Sequence, residues 1–452
     1  MSLEEALALF EDGDVDGAAA AIAGLVDEDP DRIALLGRIA TARGQSDEAV
    51  RELERALAIR KRTGSEQAAL GHAEISRCHL FFSDVMQARR QAKAAVKLSG
   101  DPRWLVLIGD VERTAGNTAD AEKHYRAALG KQRGVERLEA LRGLGNVHYL
   151  TGDGRAAKKR YMEALALVDE QESYVAGQIK GGIAAALHLL DDDDAFEQFE
   201  EAIDILIRTC GEKHSDVAVA LNNFGLALAA TNARRAAAVT HYAVAIGEHA
   251  FPAGNPMLAT LVGNLAYHCS EAGKPLLALA HSERALGLQT KLVGPWHINV
   301  ATIISNIANY ERELGRDDLA LARAKQLANM AHEFATEERE VTAAVLFSTG
   351  TILLELGDDE AGAMALYVKA IAMRERLHGK DGELVVNTTC NAAAHLYEAG
   401  ARDQAVAFLN AAKKRTTDAE NREIFADMID AIKQGDRARV LAGTELEEDD
   451  EA

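Results

Sequence analysis

The chain has 452 residues and a formal net charge of −21, with a sequence pI near 5.2. An acidic surface repels phosphate backbones and anionic lipids, so we expect a basic protein as partner rather than nucleic acid or an anionic membrane, although acidity also serves solubility. The length exceeds what one hydrophobic core supports, which predicts several domains or a repeat array. Aromatic residues make up only 5% and prolines number six, which favours close-packed helices over strands.

The N-terminal stretch, MSLEEALALFEDGDVDG, carries acids where a signal peptide has a basic start. No run approaches the roughly eighteen apolar residues of a membrane span, so we expect no membrane insertion. The cysteines form no CxxC pair, which is typical of buried residues in a reducing compartment: Cys78, Cys210, Cys269 and Cys390. We therefore expect a cytoplasmic location. Residues 1–29 are predicted to form a degenerate capping repeat.

After residue 29, three segments share one sequence pattern. They are LLGRIATARGQSDEAVRELERALAI (35–59), LIGDVERTAGNTADAEKHYRAALG (107–130) and GLGNVHYLTGDGRAAKKRYMEALAL (143–167). A glycine follows a large apolar residue, and a second glycine comes seven positions later. An alanine, a large residue and another alanine then follow at steps of five, four and three. Three instances in register indicate an internal repeat.

Each feature of the pattern has a physical reason. The first glycine lets one helix approach its neighbour closely, and the second ends the helix in a left-handed turn. The next alanine is small because it lies where the paired helices cross. The second glycines and these alanines are Gly44, Gly116, Gly152, Ala49, Ala121 and Ala157. Each repeat is thus a helical hairpin, which must stack on its neighbours to bury its apolar face.

At these residues the chain resembles the tetratricopeptide repeat family. The resemblance implies an all-α, right-handed superhelical solenoid of stacked helix-turn-helix repeats, with the first helix of each pair lining the concave side. Ten units follow the capping repeat. They start near residues 30, 69, 102, 138, 176, 218, 259, 301, 343 and 386.

The units become longer partway along the chain. From residue 176 the steps are 42, 41, 42, 42 and 43 residues, whereas earlier units are shorter. The phrases HSDVAVALNNFGLALA and HINVATIISNIANYERELGRDDLALA, which begin at His214 and His297, resemble the repeats of kinesin light chains. The last two units lack that histidine. We therefore predict an N-terminal array over 30–212 and an array of longer, 42-residue units over 213–416.

A final amphipathic helix is predicted after the repeats. The segment 418–443 carries Ile424, Met428 and Ile432 at helical spacing, which suits a capping helix over the open end of the stack, domain 417–443. The remaining residues 444–452, TELEEDDEA, are too acidic to pack, and we expect them to be disordered.

Four asparagines recur at one place in the first helices of the later units, with Ser348 in the unit that lacks one. They are Asn223, Asn264, Asn306 and Asn391. Asparagine inside a helix costs roughly 0.6 kcal/mol relative to alanine, so helix stability did not select them. An amide has the donors and acceptor that clamp an extended peptide backbone, and the resemblance implies such a row in the groove. Hydrogen bonds between neighbouring helices of the stack are the alternative.

A second row of carboxylates lies near the ends of the same helices, where the helix dipole opposes a negative charge. It consists of Glu271, Glu313, Glu355 and Glu398. Together with the amides, these carboxylates suit a peptide with lysine or arginine side chains. Solvated glutamates at helix ends are the alternative.

The N-terminal array has a different predicted groove. Arg142 and Asn146 lie one turn apart and resemble half of the carboxylate clamp of co-chaperone repeats, but Gly181 stands where the other half requires asparagine. The predicted groove residues also carry a slight basic excess, which makes the acidic residues 444–452 a candidate ligand, from the same or a neighbouring copy. The basic residues are Arg38, Arg77, Arg103, Arg113, Arg142 and Lys180, against Asp31, Glu74, Asp110 and Glu139.

The function predicted from these features is a non-catalytic adaptor that binds an extended, basic peptide. A self-assembling scaffold that uses the C-terminal helix or tail, hence a homo-oligomer, and a peptide-responsive sensor remain alternatives. We expect no enzyme, cofactor or metal site, because no nucleophile, acid–base pair or metal-ligand cluster has workable spacing.

Overall fold

The computed structural model describes residues 2–11, 14–23, 28–82, 84–130, 135–251, 255–334, 339–357 and 359–443. Within these ranges the regular elements are all α-helices, which confirms the predicted all-α fold of helical hairpins. The predicted tail, 444–452, lies outside the described residues. The chain forms two compact units, Met1–Ala272 and Gly273–Ala452.

The first unit consists of paired helices followed by one single helix. In chain order they are α1 (Leu3–Glu11), α2 (Val15–Ala23), α3 (Pro30–Ala42), α4 (Ser46–Thr63), α5 (Ser65–Phe81), α6 (Val85–Leu98), α7 (Arg103–Thr114), α8 (Thr118–Leu129), α9 (Val135–Leu150), α10 (Gly154–Leu165), α11 (Tyr174–His188), α12 (Ala195–Cys210), α13 (Ser215–Leu228), α14 (Ala233–Ala250) and α15 (Pro256–Glu271). From α3 onward, odd-numbered helices are the first members of the hairpins and even-numbered helices the second.

The second unit continues the same alternation. Its helices are α16 (Pro275–Val293), α17 (Ile298–Glu313), α18 (Asp317–Phe334), α19 (Glu340–Gly357), α20 (Glu360–His378), α21 (Glu383–Glu398), α22 (Arg402–Arg415), α23 (Ala419–Gln434) and α24 (Arg437–Ala442). Every first helix from α3 to α21 begins within a few residues of its predicted start. The lengthening of the repeats lies in the second helices, since α14 and α16 have 18 and 19 residues whereas α8 and α10 have 12.

The repeated glycines and alanines have the predicted roles. Gly44, Gly116 and Gly152 end their helices with φ of 74°, 81° and 75°, a backbone conformation that residues with a Cβ atom rarely adopt. The alanines that follow each of them five positions later are completely buried. Helix ends and helix crossings are therefore encoded locally by the pattern.

The first glycine of the pattern makes room for a particular side chain, the large residue sixteen positions later. A Cβ atom on Gly109 would lie 2.7 Å from Cε1 of Tyr125, and one on Gly145 would lie 2.6 Å from Cε1 of Tyr161. The next repeat contributes a second glycine to each slot. A Cβ atom on Gly143 would lie 2.3 Å from Cε1 of Tyr125. The tyrosine ring of one hairpin is thus enclosed by glycines of two hairpins.

An arginine near the end of several second helices links the hairpin to a carboxylate near the start of its first helix. Arg208 Nη1 donates to Glu172 Oε2 at 2.8 Å, and Arg374 Nε donates to Glu340 Oε1 at 2.8 Å. Arg60 is the most buried example, with 2% of its side chain exposed. These pairs hold the open ends of the hairpins together.

Among the described helices, α19 is long and apolar enough to cross a membrane by length and composition alone. More than half of it, 56%, is buried within the protein. Its Leu346, Ile352 and Leu353 belong to the core that α17, α18 and α20 also form. The apolar composition of α19 therefore matches its place between two neighbouring hairpins.

The predicted capping helix 418–443 is two helices, so this prediction was wrong in one respect. Gly435 has a φ of 73° and ends α23, and the Asp436 side chain then accepts from the backbone N–H of Arg439 to start α24. The apolar face is as predicted, because Met428 and Ile432 are 2% and 0% exposed. The two short helices cover the end of the second unit.

The core of the first unit contains a buried histidine that makes its stability depend on pH. His268 in α15 is 0% exposed, and neither ring nitrogen has a hydrogen-bond partner among the described residues. Burial lowers its pKa. The unfolded chain therefore binds more protons than the folded chain as the pH falls below about 6.5, the ordinary value, and stability is lost in that direction.

We expect His268→Leu to remove part of this dependence. Between pH 7.5 and 5.5, the free energy of unfolding measured in urea should fall more steeply for the native protein than for the variant. The difference between the two slopes should be up to about 1.4 kcal/mol per pH unit. His332→Leu is the matched control, because the side chain of His332 is 72% exposed. Parallel pH profiles for the native protein and His268→Leu would contradict the prediction.

Candidate functional site

The predicted asparagine row divides into exposed and internally bonded members. Asn223 and Asn306 are exposed. Asn264, by contrast, donates from Nδ2 to Oδ1 of Asn222 on the preceding first helix, at 2.9 Å. Asn222 is 5% exposed, so this bond satisfies a buried acceptor. Asn264 therefore forms the alternative interaction, a hydrogen bond between neighbouring helices of the stack.

The second unit has a similar bond one turn further along. Asn309 Nδ2 donates to Oγ of Ser348 at 3.3 Å, which joins α17 to α19. Asn391 in α21 is half-buried. The amide row therefore serves both as a link between first helices and, at Asn223 and Asn306, as a set of exposed donors and acceptors.

The glutamate row divides in the same way. Glu355 is paired with Arg312 of α17 and, at 3.3 Å, with Nδ1 of His395 in α21. The hydrogen bond from His395 and the nearby Arg312 lower the pKa of Glu355. Glu398 accepts from Arg437 through both oxygens, at 2.8 and 2.6 Å, and this pairing lowers its pKa. These two carboxylates are already neutralised by cations of the chain itself.

The other two glutamates are open to a ligand. Glu271 and Glu313 are both exposed, and neither forms an ion pair with any residue that the structure describes. Because they lie in the final turn of α15 and α17, they do not gain from the helix dipole. The row thus offers two of its four predicted carboxylates to a basic side chain.

A pocket of about 280 Å³ in the first unit is lined by residues of α9, α11 and α13, with Tyr161 of α10 and Phe199 of α12 behind them. It opens on the side where the first helices α9, α11, α13 and α15 lie. We call this side the first-helix face. The pocket brings together three predicted site residues, Arg142, Asn146 and Asn223, although they lie on helices α9 and α13 with α11 between them. Spacing alone does not predict this convergence, because it places Asn223 in the asparagine row of the later units and Arg142 and Asn146 in the N-terminal array.

Gly181 forms part of the lining of this pocket. A Cβ atom added to it would meet no atom within 4 Å, so packing does not require glycine there. Its helical neighbour Gly182 differs, because a Cβ atom at that position would lie 2.7 Å from Cε1 of Tyr161. A helix-interior glycine costs about 1 kcal/mol relative to alanine. Gly181 therefore weakens α11 and leaves the pocket open.

The polar groups of the pocket are held in place by one another. Asn146 Oδ1 accepts from the Tyr161 hydroxyl at 2.6 Å, which orients the amide. Arg142 Nη1 donates to Glu139 at 3.1 Å. On the opposite wall, Gln178 Nε2 donates to Asp216 Oδ2 at 2.6 Å.

The Tyr174 hydroxyl donates to the same oxygen of Asp216. Burial, followed by this bond, raises the pKa of Tyr174. A guanidinium on α9 and a carboxylate on α13 thus face a pocket whose amides are pre-oriented.

The basic residues predicted to line the N-terminal groove are mostly paired. Lys180 bonds to Glu201 at 2.5 Å and Arg103 to Asp101 at 2.5 Å. The guanidinium of Arg38 lies over the ring of Phe10 at 4.6 Å. The small basic excess predicted for this groove is therefore largely balanced by the protein's own groups.

Sequence reasoning missed an apolar row beside the amides. Tyr149, Leu226 and Tyr267 each lie three residues after a site asparagine, and they are 37%, 43% and 45% exposed. Residues three apart on a helix are surface neighbours, so this row runs along the first-helix face next to Asn146, Asn223 and Asn264. The signal was present as large apolar residues at a repeated position, but core residues have the same appearance in a sequence.

Comparisons with known proteins agree with this architecture. Residues 256–333 match one tetratricopeptide repeat model and residues 32–63 match another. A search of curated proteins finds no significant match.

Among solved structures, a signal transduction ATPase with a tetratricopeptide repeat sensor from Pyrococcus horikoshii is 10% identical over 81% of this chain and 66% of its own, with a TM-score of 0.52. A monomeric mutant of IFIT1 with m7Gppp-AAAA is 13% identical over 96% of this chain and 94% of its own, with a TM-score of 0.51.

A kinesin light chain with nearly identical repeats from Podosopora anserina matches a shorter part. It is 17% identical over 43% of this chain and 94% of its own, with a TM-score of 0.39. The matches to family models, the hairpin geometry and the glycine–alanine pattern together identify the repeats. The chain contains tetratricopeptide repeats, which the family models match over residues 32–63 and 256–333.

Proposed function

We propose that the protein is a non-catalytic interaction scaffold that binds an extended peptide segment along the first-helix face of its first unit. The observation that carries the proposal is the pocket where Arg142, Asn146, Gly181 and Asn223 meet. An open glycine floor lets a peptide backbone approach closely, and exposed amides offer it both donors and acceptors.

The surroundings of the pocket supply the rest of a peptide site. The exposed row of Tyr149, Leu226 and Tyr267 gives apolar side chains a surface to cover. Backbone hydrogen bonds alone contribute about 1 kcal/mol each, so burial of such side chains is required for micromolar binding.

The charge of the peptide is proposed from the carboxylates that remain free. Basic side chains of the peptide would pair with Glu271, the exposed carboxylate at the end of α15 in the first unit. Glu355 and Glu398 have no part in this pairing, because Arg312, His395 and Arg437 already occupy them.

Two asparagine variants separate binding from stability. Asn223→Ala should weaken the capture of peptides from a displayed peptide library by about tenfold, while the melting temperature stays unchanged, because the side chain is exposed. Asn264→Ala should instead lower stability by about 1 to 3 kcal/mol, because it leaves the buried acceptor of Asn222 without its donor. Equal peptide capture by the native protein and Asn223→Ala would contradict the proposal.

Two glycine-to-alanine variants separate an effect on peptide binding from an effect on helix stability. Gly181→Ala should raise stability by about 0.4 to 1 kcal/mol and still reduce peptide capture, because the new methyl group fills the pocket floor. Gly287→Ala in α16 has the same open surroundings but lies outside the pocket, so it should raise stability without changing capture. If both variants capture peptides like the native protein, Gly181 has no binding role.

A further inference from the structure

A basic surface lies on three successive second helices of a protein whose net charge is −21. It consists of exposed residues of α6, α8 and α10: Arg90, Lys93, Lys97, Lys123, Arg155 and Lys159. None of them forms an ion pair with another described residue. By contrast, their neighbours Arg89 and Lys158 are used internally, by Glu112 at 2.7 Å and Asp192 at 3.6 Å.

The three helices are the second members of consecutive hairpins, and they come near one another at two places. Burial lowers the pKa of His124 in α8, and the charge of Lys93 in α6 adds to this lowering. Leu129, at the end of α8, packs against the core cluster that contains Ala157 and Tyr161 of α10. The six cations therefore belong to one continuous outer surface, on second helices rather than on the first-helix face.

Helix stability does not explain this surface. Arg90 and Lys93 are three residues apart, and Lys93 and Lys97 are four apart, as are Arg155 and Lys159. Like charges at these spacings destabilise a helix by about 0.2 to 0.5 kcal/mol per pair. Solubility does not explain it either, because each cation reduces the magnitude of the net charge. An acidic partner offsets both disadvantages.

The neighbouring second helix limits the kind of acidic partner. α12 exposes Glu197 and Asp204, and the loop before it contains the acidic run 191–194. A flat anionic membrane or a long nucleic acid that covered the basic surface would also meet these carboxylates. A short acidic segment would not. The basic surface is therefore suited to a peptide about as long as three helices are wide.

We propose that the basic surface binds the acidic segment 444–452 of a second copy of this chain. The segment TELEEDDEA carries Glu445, Glu447, Glu448, Asp449, Asp450 and Glu451. Nine extended residues reach about 30 Å, which is long enough to run across neighbouring helices rather than along one side chain.

The segment also has an apolar residue, Leu446, and the basic surface has apolar neighbours for it. Met86 of α6 and Met162 of α10 are 72% and 55% exposed. Methionine adapts readily to a varied apolar partner. A two-fold pair of chains would make the contact twice, and the second contact would form within the complex at a high effective concentration. This gain favours a second copy as the source of the segment.

Sedimentation velocity of the full chain tests the proposal. At low salt, the native protein should shift from monomer to dimer as its concentration rises, and high salt should reverse the shift. The chain lacking 444–452 should stay monomeric. Arg90→Glu with Lys93→Glu should weaken the dimer by at least about tenfold. Excess free peptide TELEEDDEA should dissociate the native dimer.

Lys61→Glu with Arg62→Glu is the matched control, because it makes the same charge change on exposed residues of α4, outside the basic surface. It should leave the dimer intact. Circular dichroism and thermal melting establish that each variant is folded.

Several results would overturn the proposal. The proposal is wrong if the native protein stays monomeric, or if the dimer survives removal of the segment. It is also wrong if the α4 control variant dimerises as weakly as the α6 variant. Binding to phosphatidylserine vesicles that the α6 variant loses, without dimerisation, would assign the surface to a membrane instead.

Discussion

Replacing Tyr125 with alanine should lower the free energy of unfolding by about 3 to 5 kcal/mol. The side chain is completely buried between Gly109 and Gly143, and its hydroxyl donates to Asp110 Oδ1 at 2.7 Å. The two glycines add no side chain that could fill the space left by the ring. Urea unfolding of the full chain, followed by circular dichroism, measures the loss. Tyr125→Phe should lose only about 1 kcal/mol, because it removes one hydrogen bond and keeps the packing.

A second substitution tests the same slot, because its effect on stability should change sign when the tyrosine ring is removed. In the native protein Gly143→Ala should be destabilising by about 1 to 3 kcal/mol, because its Cβ atom would lie 2.3 Å from the Tyr125 ring. In the Tyr125→Ala background the ring is gone, and Gly143→Ala should stabilise α9 by about 1 kcal/mol. If Gly143→Ala has the same sign in both backgrounds, the ring does not occupy the slot as described.

Arg60→Ala should be comparably damaging, with a loss of about 3 to 5 kcal/mol. Arg60 has 2% of its side chain exposed, and Nη2 donates to Asp31 Oδ1 at 2.6 Å. Its Nη1 donates to Glu74, whose side chain is 13% exposed. The alanine variant leaves that carboxylate without its hydrogen-bonded cation in a poorly solvated place, which costs more than the pair itself contributes.

The double variant Arg60→Met with Glu74→Gln should recover most of this loss, because it removes both charges and keeps the volume. Arg51→Ala is the control. Arg51 is 66% exposed and, among the described residues, pairs with Glu48 and Glu52 of its own helix, so its loss should stay below about 1 kcal/mol. Equal urea midpoints for Arg60→Ala and Arg51→Ala would show that the buried network does not stabilise the first unit.

The fold could be predicted from the sequence because its determinants are local. Gly44, Gly116 and Gly152 end helices through their own backbone conformation, and the alanines beside them fit any close helix crossing. The break at Gly435 was missed for a related reason. Its left-handed conformation lies within an amphipathic pattern that continues on both sides, so the pattern alone did not show the end of α23.

The candidate site was only partly predictable, because it depends on helix rotation and on partners from other repeats. Asn222 and Asn223 are adjacent in sequence, yet one is buried and bonded to Asn264 while the other is exposed. A rotation of about 100° per residue separates these two outcomes, and the sequence does not give the absolute orientation of α13. Likewise, the partner of Glu398 is Arg437, which reaches it only because α24 folds back onto the second unit.

The tyrosine slots also define how this protein can be rearranged during evolution. The ring of Tyr125 lies on α8, while its slot is shared by α7 and by α9 of the next hairpin. Tyr161 on α10 is enclosed in the same way by Gly145 and Gly182. A hairpin that duplication or exchange joins after Tyr125 or Tyr161 must therefore supply a glycine at the same position of its first helix, as α9 does with Gly143 and α11 with Gly182. A hairpin without that glycine would bring a Cβ atom into the ring.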